Sequence, residues 1–250
     1  MSPEFLNNMD VKNILKALTP NVGKGNQSCR EKWLEKTLST VPGDSRILDA
    51  GAGTQQYRKY CKHLKYVSQD FAQYDGKGNR AGLQTGEFEY GKLDIVSDIT
   101  SIPEPDASFD AVMCVEVFEH LPDPVQAVRE FSRLLKHHGH LIITAPFCSL
   151  THFAPYHFSS GFNNYWFEKH LAENGFKIVG MDRNGNFFEY VAQEVYRIPA
   201  IAKRYAGGRP GLIELASMFM LQRMLLRFSK RDNGSSELLC FGYHVHARKD

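Results

Sequence analysis

The sequence predicts an α/β fold in which a mostly parallel sheet forms the core. Short apolar runs that end in an acidic residue recur along the chain, as expected for buried strands. Segments with helical periodicity lie between several of these runs, and 124–136 is the clearest of them. A chain of 250 residues is long enough for one large domain of this class.

The first predicted strand, Arg46–Ala50, leads into the turn Gly51-Ala-Gly53, where we expect a ligand to bind. Glycine lets the backbone approach a ligand closely and adopt positive φ. A helix expected at 55–61 would direct free backbone N–H groups to the same place. Asp49 suits a cationic amino group, whereas Gln56 replaces the third glycine of a dinucleotide-binding turn. An ordinary strand-to-helix loop is the alternative interpretation.

Acidic residues also end the next predicted strands. Asp70 ends the second strand, and Asp98 and Glu116 follow the third and the fourth. The carboxyl ends of parallel strands form one edge of a sheet, where open α/β sheets bind their ligands. We therefore expect Asp70 to hold ribose hydroxyls, and Asp98 with Ile99 to contact an adenine ring. The alternative for Asp70 is an acid that caps its own turn.

The remaining elements follow from periodicity and from Gly, Pro and Asn signals. A loop rich in Gly, Gln and Asn is expected at 74–89. About 55 residues separate the last two strands, which is too many for a hairpin loop. We therefore expect these intervening residues to form helices. The predicted helices are 11–18, 28–39, 124–136 and 164–174, and the predicted strands are 46–50, 65–70, 93–96, 109–115, 140–145, 176–181 and an antiparallel 238–248.

Composition narrows the possible functions. The formal net charge of +2 gives no support to nucleic acid as a partner. Five cysteines without a C-x-x-C pair, and no apolar signal segment at the start, favour a reducing, cytoplasmic setting. No apolar run reaches the roughly 18 residues that a membrane span needs.

Several motifs together resemble the class I S-adenosylmethionine-dependent methyltransferases of the small-molecule type. They are I-L-D-A-G-A-G at 47–53, D-I at 98–99, S-F-D-A-V at 108–112, E-V-F-E-H-L-P-D-P at 116–124 and R-L-L-K-H-H-G-H-L-I-I-T-A-P at 133–146. The resemblance covers roughly 46–180. It implies a Rossmann-like, seven-stranded, mostly parallel sheet with an antiparallel last strand and helices on both faces, and a helical insertion before that strand.

The resemblance also implies a role for each motif residue in binding S-adenosyl-L-methionine. Gly51 and Gly53 would pass under the methionine part, with Asp49 near its amino group and Glu116 near the same end. Asp70 would hold the ribose. Three residues would contact the adenine: Phe71 against the ring, Asp98 at its edge and Ile99 on its face.

Histidines are the candidates for the chemistry. His120 lies a few residues after the fourth strand and is the leading general base, since imidazole titrates near working pH. A capping role at the start of a helix is its alternative. His152, Tyr156 and His157 lie after the fifth strand, where this fold builds its acceptor pocket. The alternative there is a loop packed by its own aromatic residues.

Metal binding is an open alternative, although we predict no metal. Glu116, Glu119 and His120 form E-x-x-E-H, which could supply ligands from one short turn, as in methyltransferases resembling those of quinone biosynthesis. His244 and His246 share one face of the last strand and are expected to be structural.

The sequence thus predicts a cytoplasmic methyltransferase that acts on an oxygen, or less favourably a nitrogen, of a small molecule. We expect a single domain over 1–250, with a helical cap at 1–44, the cofactor-binding core at 45–182, the insertion at 183–236 and the last strand at 237–250. A non-catalytic nucleotide-binding module and a nicotinamide-dependent oxidoreductase are the alternative functions.

The apolar segment 212–231 leaves three interpretations open: a helix over the acceptor pocket, a dimer face or a membrane-surface helix. The chain is expected to be a monomer or a homodimer.

Overall fold

The computed structural model describes residues 20–250. The helix predicted at 11–18 lies outside the described residues. The described chain forms two compact units. The larger unit is Asn26–Gly185 with Leu239–Asp250, and the smaller one contains residues 20–25 and Asn186–Leu238.

The larger unit is built on a seven-stranded sheet with the order β3-β2-β1-β4-β5-β7-β6. β7 pairs antiparallel with β5 and β6, and the pairs among the other strands are parallel. The predicted fold class is confirmed. The strands are β1 Arg46–Ala50, β2 Lys65–Asp70, β3 Ile95–Val96, β4 Phe109–Val115, β5 Leu135–Pro146, β6 Phe176–Asn184 and β7 Gly242–Lys249.

Helices cover both faces of this sheet. Three α-helices belong to the larger unit: α1 Asn26–Leu38, α2 Pro124–Leu134 and α3 Asn164–Glu173. Leu34 and Leu38 of α1 pack with Ile47 on one face. Phe131 of α2 and Phe167 of α3 belong to the apolar cluster on the other face. The alternation of side chains along β1 divides the core in this way.

The helix α2 begins where the sequence predicts and ends earlier. Asp123 is its N-cap, and its Oδ1 accepts a hydrogen bond of 3.0 Å from the backbone N of Gln126. The predicted end at 136 is wrong, because Leu135 already pairs with Phe109 as the first residue of β5. The helix therefore ends at Leu134 and the strand begins at the next residue, although the helical periodicity of the sequence continues further.

The prediction of a helix directly after β1 is wrong. A single 3-10 turn, Arg58–Tyr60, replaces the helix expected at 55–61. Gln55 has φ of +59°, and its side-chain amide donates to the backbone oxygens of Tyr90 at 3.0 Å and Lys92 at 2.9 Å. These contacts hold the residue in a loop conformation that cannot start an α-helix.

The third strand is shorter than predicted. Only Ile95 and Val96 pair with β2, opposite Gln69 and Asp70. The long segment before it contains no helix or strand, as predicted for 74–89, but it is held by contacts with the loop after β5. Leu83 donates to Thr151 O at 2.9 Å and accepts from Phe153 N at 3.0 Å.

The histidines of β7 lie on the face opposite the main apolar cluster. His244 is buried, and its ring centroid lies 5.1 Å from that of Trp33. The Nε2 of His246 lies 3.0 Å from Nδ1 of His140 on the paired strand β5. Burial lowers the pKa of His244 to about 4 and also lowers the pKa of His246, so both histidines are neutral packing groups near pH 7.

The smaller unit is a pair of helices, α4 Phe187–Tyr205 and α5 Leu212–Ser229, which form the predicted helical insertion. Ala192 of α4 and Leu225 of α5 pack with Val22 in a small apolar cluster. The Gln222 side chain donates to Ala192 O at 2.8 Å. Among the described residues, no helix is long and apolar enough to cross a membrane.

The surface of α5 carries exposed apolar side chains. Leu212, Ile213 and Met220 are 86%, 84% and 64% exposed. The three interpretations of 212–231 stay predictions.

Candidate active site

The turn after β1 leaves no room for a side chain. Gly51 has φ of +75°, and a Cβ built on it would lie 2.6 Å from Cγ2 of Val117. Val117 follows the end of β4, so the ends of two adjacent strands meet at this glycine. A residue other than glycine would force them apart.

Gly53 and Asp70 join the ends of β1 and β2. The backbone N of Gly53 donates to Asp70 Oδ2 at 2.9 Å, and the N of Ala72 donates to Oδ1 at 3.0 Å. Asp70 is only 6% exposed. Burial raises the pKa of its carboxyl, and the hydrogen bonds from these backbone N–H groups oppose the rise. The carboxylate is thus fixed beside the glycine turn, and its contact with a ribose stays a prediction.

Asp49 is a buried acid, and within residues 20–250 its one side-chain hydrogen-bond donor is the hydroxyl of Tyr66, at 2.5 Å. Burial raises the pKa of Asp49 to about 7, the Tyr66 hydrogen bond opposes the rise, and the nearby Asp70 adds to it. A cationic group at this position would remove much of that penalty. The surroundings of Asp49 therefore match its predicted place near an amino group.

Glu116 faces an arginine that the sequence did not single out. Its Oε2 forms an ion pair with Arg30 at 3.0 Å, and its Oε1 accepts from Thr144 Oγ1 at 2.8 Å. Arg30 also donates through Nε to the Tyr57 hydroxyl at 3.2 Å. No motif marks Arg30, because only the tertiary packing of α1 brings it to the strand ends.

The predicted adenine-contacting residues differ in their surroundings. The Phe71 ring packs edge-to-face against Tyr156, with centroids 5.0 Å apart, so it lies beside a predicted acceptor-pocket residue. Ile99 is buried. Asp98 is exposed, and its Oδ1 accepts from the backbone N of Thr100 at 2.8 Å and from its Oγ1 at 2.7 Å. Asp98 thus caps its own turn, and its adenine contact stays a prediction.

Three predicted histidines, His120, His152 and His157, come together as one cluster. One nitrogen of each lies within 4.8 Å of the others, within the part of the chain that the structure describes. The carboxyl of Glu119 borders the cluster: its Oε1 lies 3.7 Å from His120 Nε2 and 3.8 Å from His152 Nε2. The predictions assigned His120 to the base and His152 and His157 to the acceptor pocket, so their convergence is a new finding of the structure.

The electrostatics of the cluster follow from burial. Burial and the neighbouring imidazoles lower the pKa of His120 to about 3. Burial raises the pKa of Glu119 well above its ordinary value, and Glu116 adds to the rise. The predicted E-x-x-E-H ligand set is divided, since Glu116 is directed to Arg30 whereas Glu119 and His120 join the histidine cluster.

The carboxyl edge of the sheet thus holds a glycine turn with acids from adjacent strands. The family model described as a methyltransferase domain matches residues 48–143, the segment that contains this turn and β4. Over these residues, which make up less than half of its length, the chain is therefore similar to a methyltransferase domain. The strand order and the glycine turn at the end of β1 agree with that family.

Known proteins resemble the methyltransferase domain in part or in fold. An uncharacterized methyltransferase, YcgJ of Bacillus subtilis, is 30% identical over 45% of this chain and 42% of its own length. A ubiquinone biosynthesis O-methyltransferase of Xanthomonas oryzae pv. oryzae is 33% identical over 40% of this chain and 42% of its own length. The chain therefore spans less than half of these curated relatives.

A solved structure shows the same fold over most of the chain. An S-adenosylmethionine-dependent methyltransferase from Archaeoglobus fulgidus has a TM-score of 0.55 and 16% identity, over 89% of this chain and 94% of that chain.

The residues of the methyltransferase domain fit S-adenosylmethionine, the cofactor of this family. Gly51 and Gly53 keep side chains out of the turn, where a Cβ would meet Val117 or the Phe88 ring, the latter at 3.3 Å. Two buried carboxyl groups, Asp49 and Asp70, supply acceptors suited to an amino group and to hydroxyls. The site assignments themselves stay predictions.

Proposed function

We propose that the protein transfers the methyl group of S-adenosylmethionine to an oxygen of a small molecule, with nitrogen as the second choice. The observation that carries the proposal is the buried pair Asp49 and Asp70 beside the side-chain-free turn Gly51–Gly53. Similarity over part of the chain to an O-methyltransferase supports oxygen.

In this proposal the edge of the sheet binds the cofactor. The bound cofactor supplies an electrophilic methyl group on a sulfonium. Asp70 accepts hydrogen bonds from ribose hydroxyls with the lone pairs that Gly53 and Ala72 leave free. Asp49, whose pKa burial raises to about 7, loses its proton when it pairs with the amino group.

The acceptor would bind beside the histidine cluster. Tyr156 contacts Phe71 and supplies the backbone oxygen that bonds His120, so it joins the predicted adenine side to the predicted acceptor side. The Phe153 ring stacks on His120 with centroids 5.1 Å apart, which adds an apolar wall. Such a mixture of aromatic rings and few polar groups is typical of small-molecule pockets.

In this proposal His120 orients the hydroxyl of the methyl acceptor and takes its proton. Its Nδ1 lies 2.5 Å from Tyr156 O, which assigns the proton to Nδ1 and leaves the lone pair on Nε2. With a pKa of about 3, the imidazole is neutral near pH 7 but is a weak base. A phenolic hydroxyl, which is more acidic than an alcohol, therefore suits this site better.

The test has two stages. Calorimetry should show binding of S-adenosylmethionine, with NADH as the control that a nicotinamide-dependent enzyme would bind. Incubation with panels of phenols, sugars and amines should then give S-adenosylhomocysteine and, by mass spectrometry, a product heavier by one CH2. Cofactor binding without product from any acceptor would favour the non-catalytic module. Cytoplasmic location and monomer or homodimer state remain predictions from the sequence.

A further inference from the structure

The histidine cluster His120, His152 and His157 has its free nitrogens directed inward. His120 Nδ1 lies 2.5 Å from Tyr156 O, and His152 Nδ1 lies 2.8 Å from Leu150 O. A carbonyl accepts only, so each Nδ1 must carry a proton, and in the neutral ring Nε2 then carries the lone pair. Histidine ligands of metals are commonly oriented by such a hydrogen bond from the second nitrogen.

Glu119 places a carboxyl group against these lone pairs. Its Oε1 lies 3.7 Å and 3.8 Å from the Nε2 atoms of His120 and His152. Glu119 is 1% exposed, and its Oε2 has no hydrogen-bond partner among the described residues. Acceptor atoms therefore face one another in a buried space, an arrangement that costs free energy unless a cation or a proton lies between them.

His157 adds two more buried polar atoms that lack a hydrogen-bond partner in the described structure, namely both of its ring nitrogens. Its ring centroid lies 4.9 Å from that of His152 and 6.0 Å from that of His120. A proton on Glu119 could satisfy one imidazole nitrogen but would leave His157 unpaired.

We propose that His120, His152, His157 and Glu119 form a binding site for a divalent first-row transition metal ion, with Zn2+ as the best match. Three imidazoles and one carboxylate are the donors that Zn2+ accepts in tetrahedral sites, whereas Mg2+ and Ca2+ prefer oxygen ligands. The three histidine nitrogens lie within 4.8 Å of one another. Zinc–nitrogen bonds of about 2.0–2.1 Å would require them to move closer together.

This ligand set differs from the one that the E-x-x-E-H motif suggests. Glu116 is excluded by its ion pair with Arg30, and two ligands come from the loop after β5.

A metal at this position would lower the pKa of an acceptor hydroxyl that binds it. That role rests on the proposed methyl transfer, but the binding of the metal does not. In the metal-loaded protein Nε2 of His120 would bind the metal and could not act as the base, so the proton of the acceptor hydroxyl would pass to water.

The test measures metal binding directly. The full chain is stripped with a chelator and titrated calorimetrically with Zn2+ and with Mg2+, and Co2+ binding is followed by its visible absorption. We expect one Zn2+ per chain and a much weaker response to Mg2+. His157→Ala and Glu119→Gln should each weaken Zn2+ binding by more than about 100-fold, since even an outer-shell change costs about 10–100-fold.

The matched control is the exposed pair His137 and His138, whose ring centroids lie 3.7 Å apart and which could bind Zn2+ at the surface. The double variant with both changed to Ala should keep the tight site. Loss of tight binding in that variant, or unchanged binding in His157→Ala, would overturn the proposal, as would the absence of stoichiometric binding to the unaltered chain.

X-ray absorption of the unaltered, Zn2+-loaded chain covers the case in which a variant fails to fold. It should show about three imidazole nitrogens and a carboxylate oxygen around the metal, and a sulfur or all-oxygen shell would refute the site. Metal binding without methyl transfer would remove the proposed function alone, and methyl transfer without metal binding would remove the metal site alone.

Discussion

The hydroxyl of Tyr66 donates a hydrogen bond of 2.5 Å to the carboxyl of Asp49 on the neighbouring strand. This contact is the side-chain partner of an acid that is 2% exposed and whose pKa burial raises to about 7. Burying the Asp49 carboxylate therefore lowers the stability of the folded protein when no cation is bound. Variants of Asp49 thus test the proposed cofactor site directly.

Asp49→Asn should make the cofactor-free protein more stable at pH 8 while weakening S-adenosylmethionine binding. The folded pKa of about 7 exceeds the unfolded value of about 3.9, so the folded state holds the proton longer. Stability is fully present below about pH 4, falls as pH rises to about 7, and is flat above. The variant removes up to about 4 kcal/mol of this loss.

Chemical denaturation at pH 5 and pH 8 measures the effect. Tyr66→Phe is the companion variant, and it should steepen the loss because the carboxylate then lacks its donor. A pH profile that Asp49→Asn leaves unaltered would be incompatible with a buried, protonated Asp49.

Asp70→Ala should weaken cofactor binding by about 1–3 kcal/mol, because hydrogen bonds to a charged group are lost. Isothermal titration with S-adenosylmethionine is the measurement. Asp75→Ala is a matched control, since Asp75 also accepts from two backbone N–H groups, at 2.8 Å and 2.7 Å, but is exposed. Equal losses of cofactor affinity in the two variants would show that the effect comes from altered loop structure and not from lost ribose recognition.

Gly51→Ala should destabilise the protein and abolish measurable cofactor binding. The left-handed conformation costs about 1–2 kcal/mol, and the contact of the new Cβ with Val117 adds about 1–3 kcal/mol. Gly86→Ala is the control, because Gly86 has φ of +90° and no atom within 4 Å of a built Cβ. Unfolding free energies should differ between the two variants, and Val117→Ala should partly rescue Gly51→Ala. Equal destabilisation would contradict the clash.

His120→Ala should lower turnover about 100-fold or more while leaving cofactor affinity nearly unchanged. The reason is that His120 belongs to the histidine cluster, whereas our proposal assigns the cofactor to Gly51, Gly53 and the nearby acids. Steady-state kinetics and calorimetry separate the two effects, with His137→Ala as the control. A fully active variant would falsify the proposed role of His120 in proton transfer.

The sequence predicted three of the strands at their observed bounds, and the reason is local. β1, β2 and β4 match their predicted ranges, because each is a run bounded by turn residues and β4 is apolar at all positions but Asp110. Strand-end acids then follow from the shared direction of these strands. Asp49, Asp70 and Glu116 could be placed at one edge without any structure.

The sequence failed where distant contacts decide the conformation. The helix expected at 55–61 is absent because Gln55 is bonded to backbone oxygens 35 and 37 residues away. Arg30 reaches Glu116 only through the packing of α1. His152 joins His120 because its loop pairs with Leu83. No periodicity or motif encodes such long-range pairings.

Phe153 lies between two parts of the chain that are remote in sequence. Its ring stacks on Tyr74 with centroids 4.5 Å apart and on His120 with centroids 5.1 Å apart. For protein engineering, the segment that carries Tyr74 and the one that carries Phe153 are thus a single cassette. Grafting either segment from a homologue to change acceptor preference requires transplanting the other segment as well. A mismatched pair would shift Phe153 and, with it, the imidazole of His120 that stacks on it.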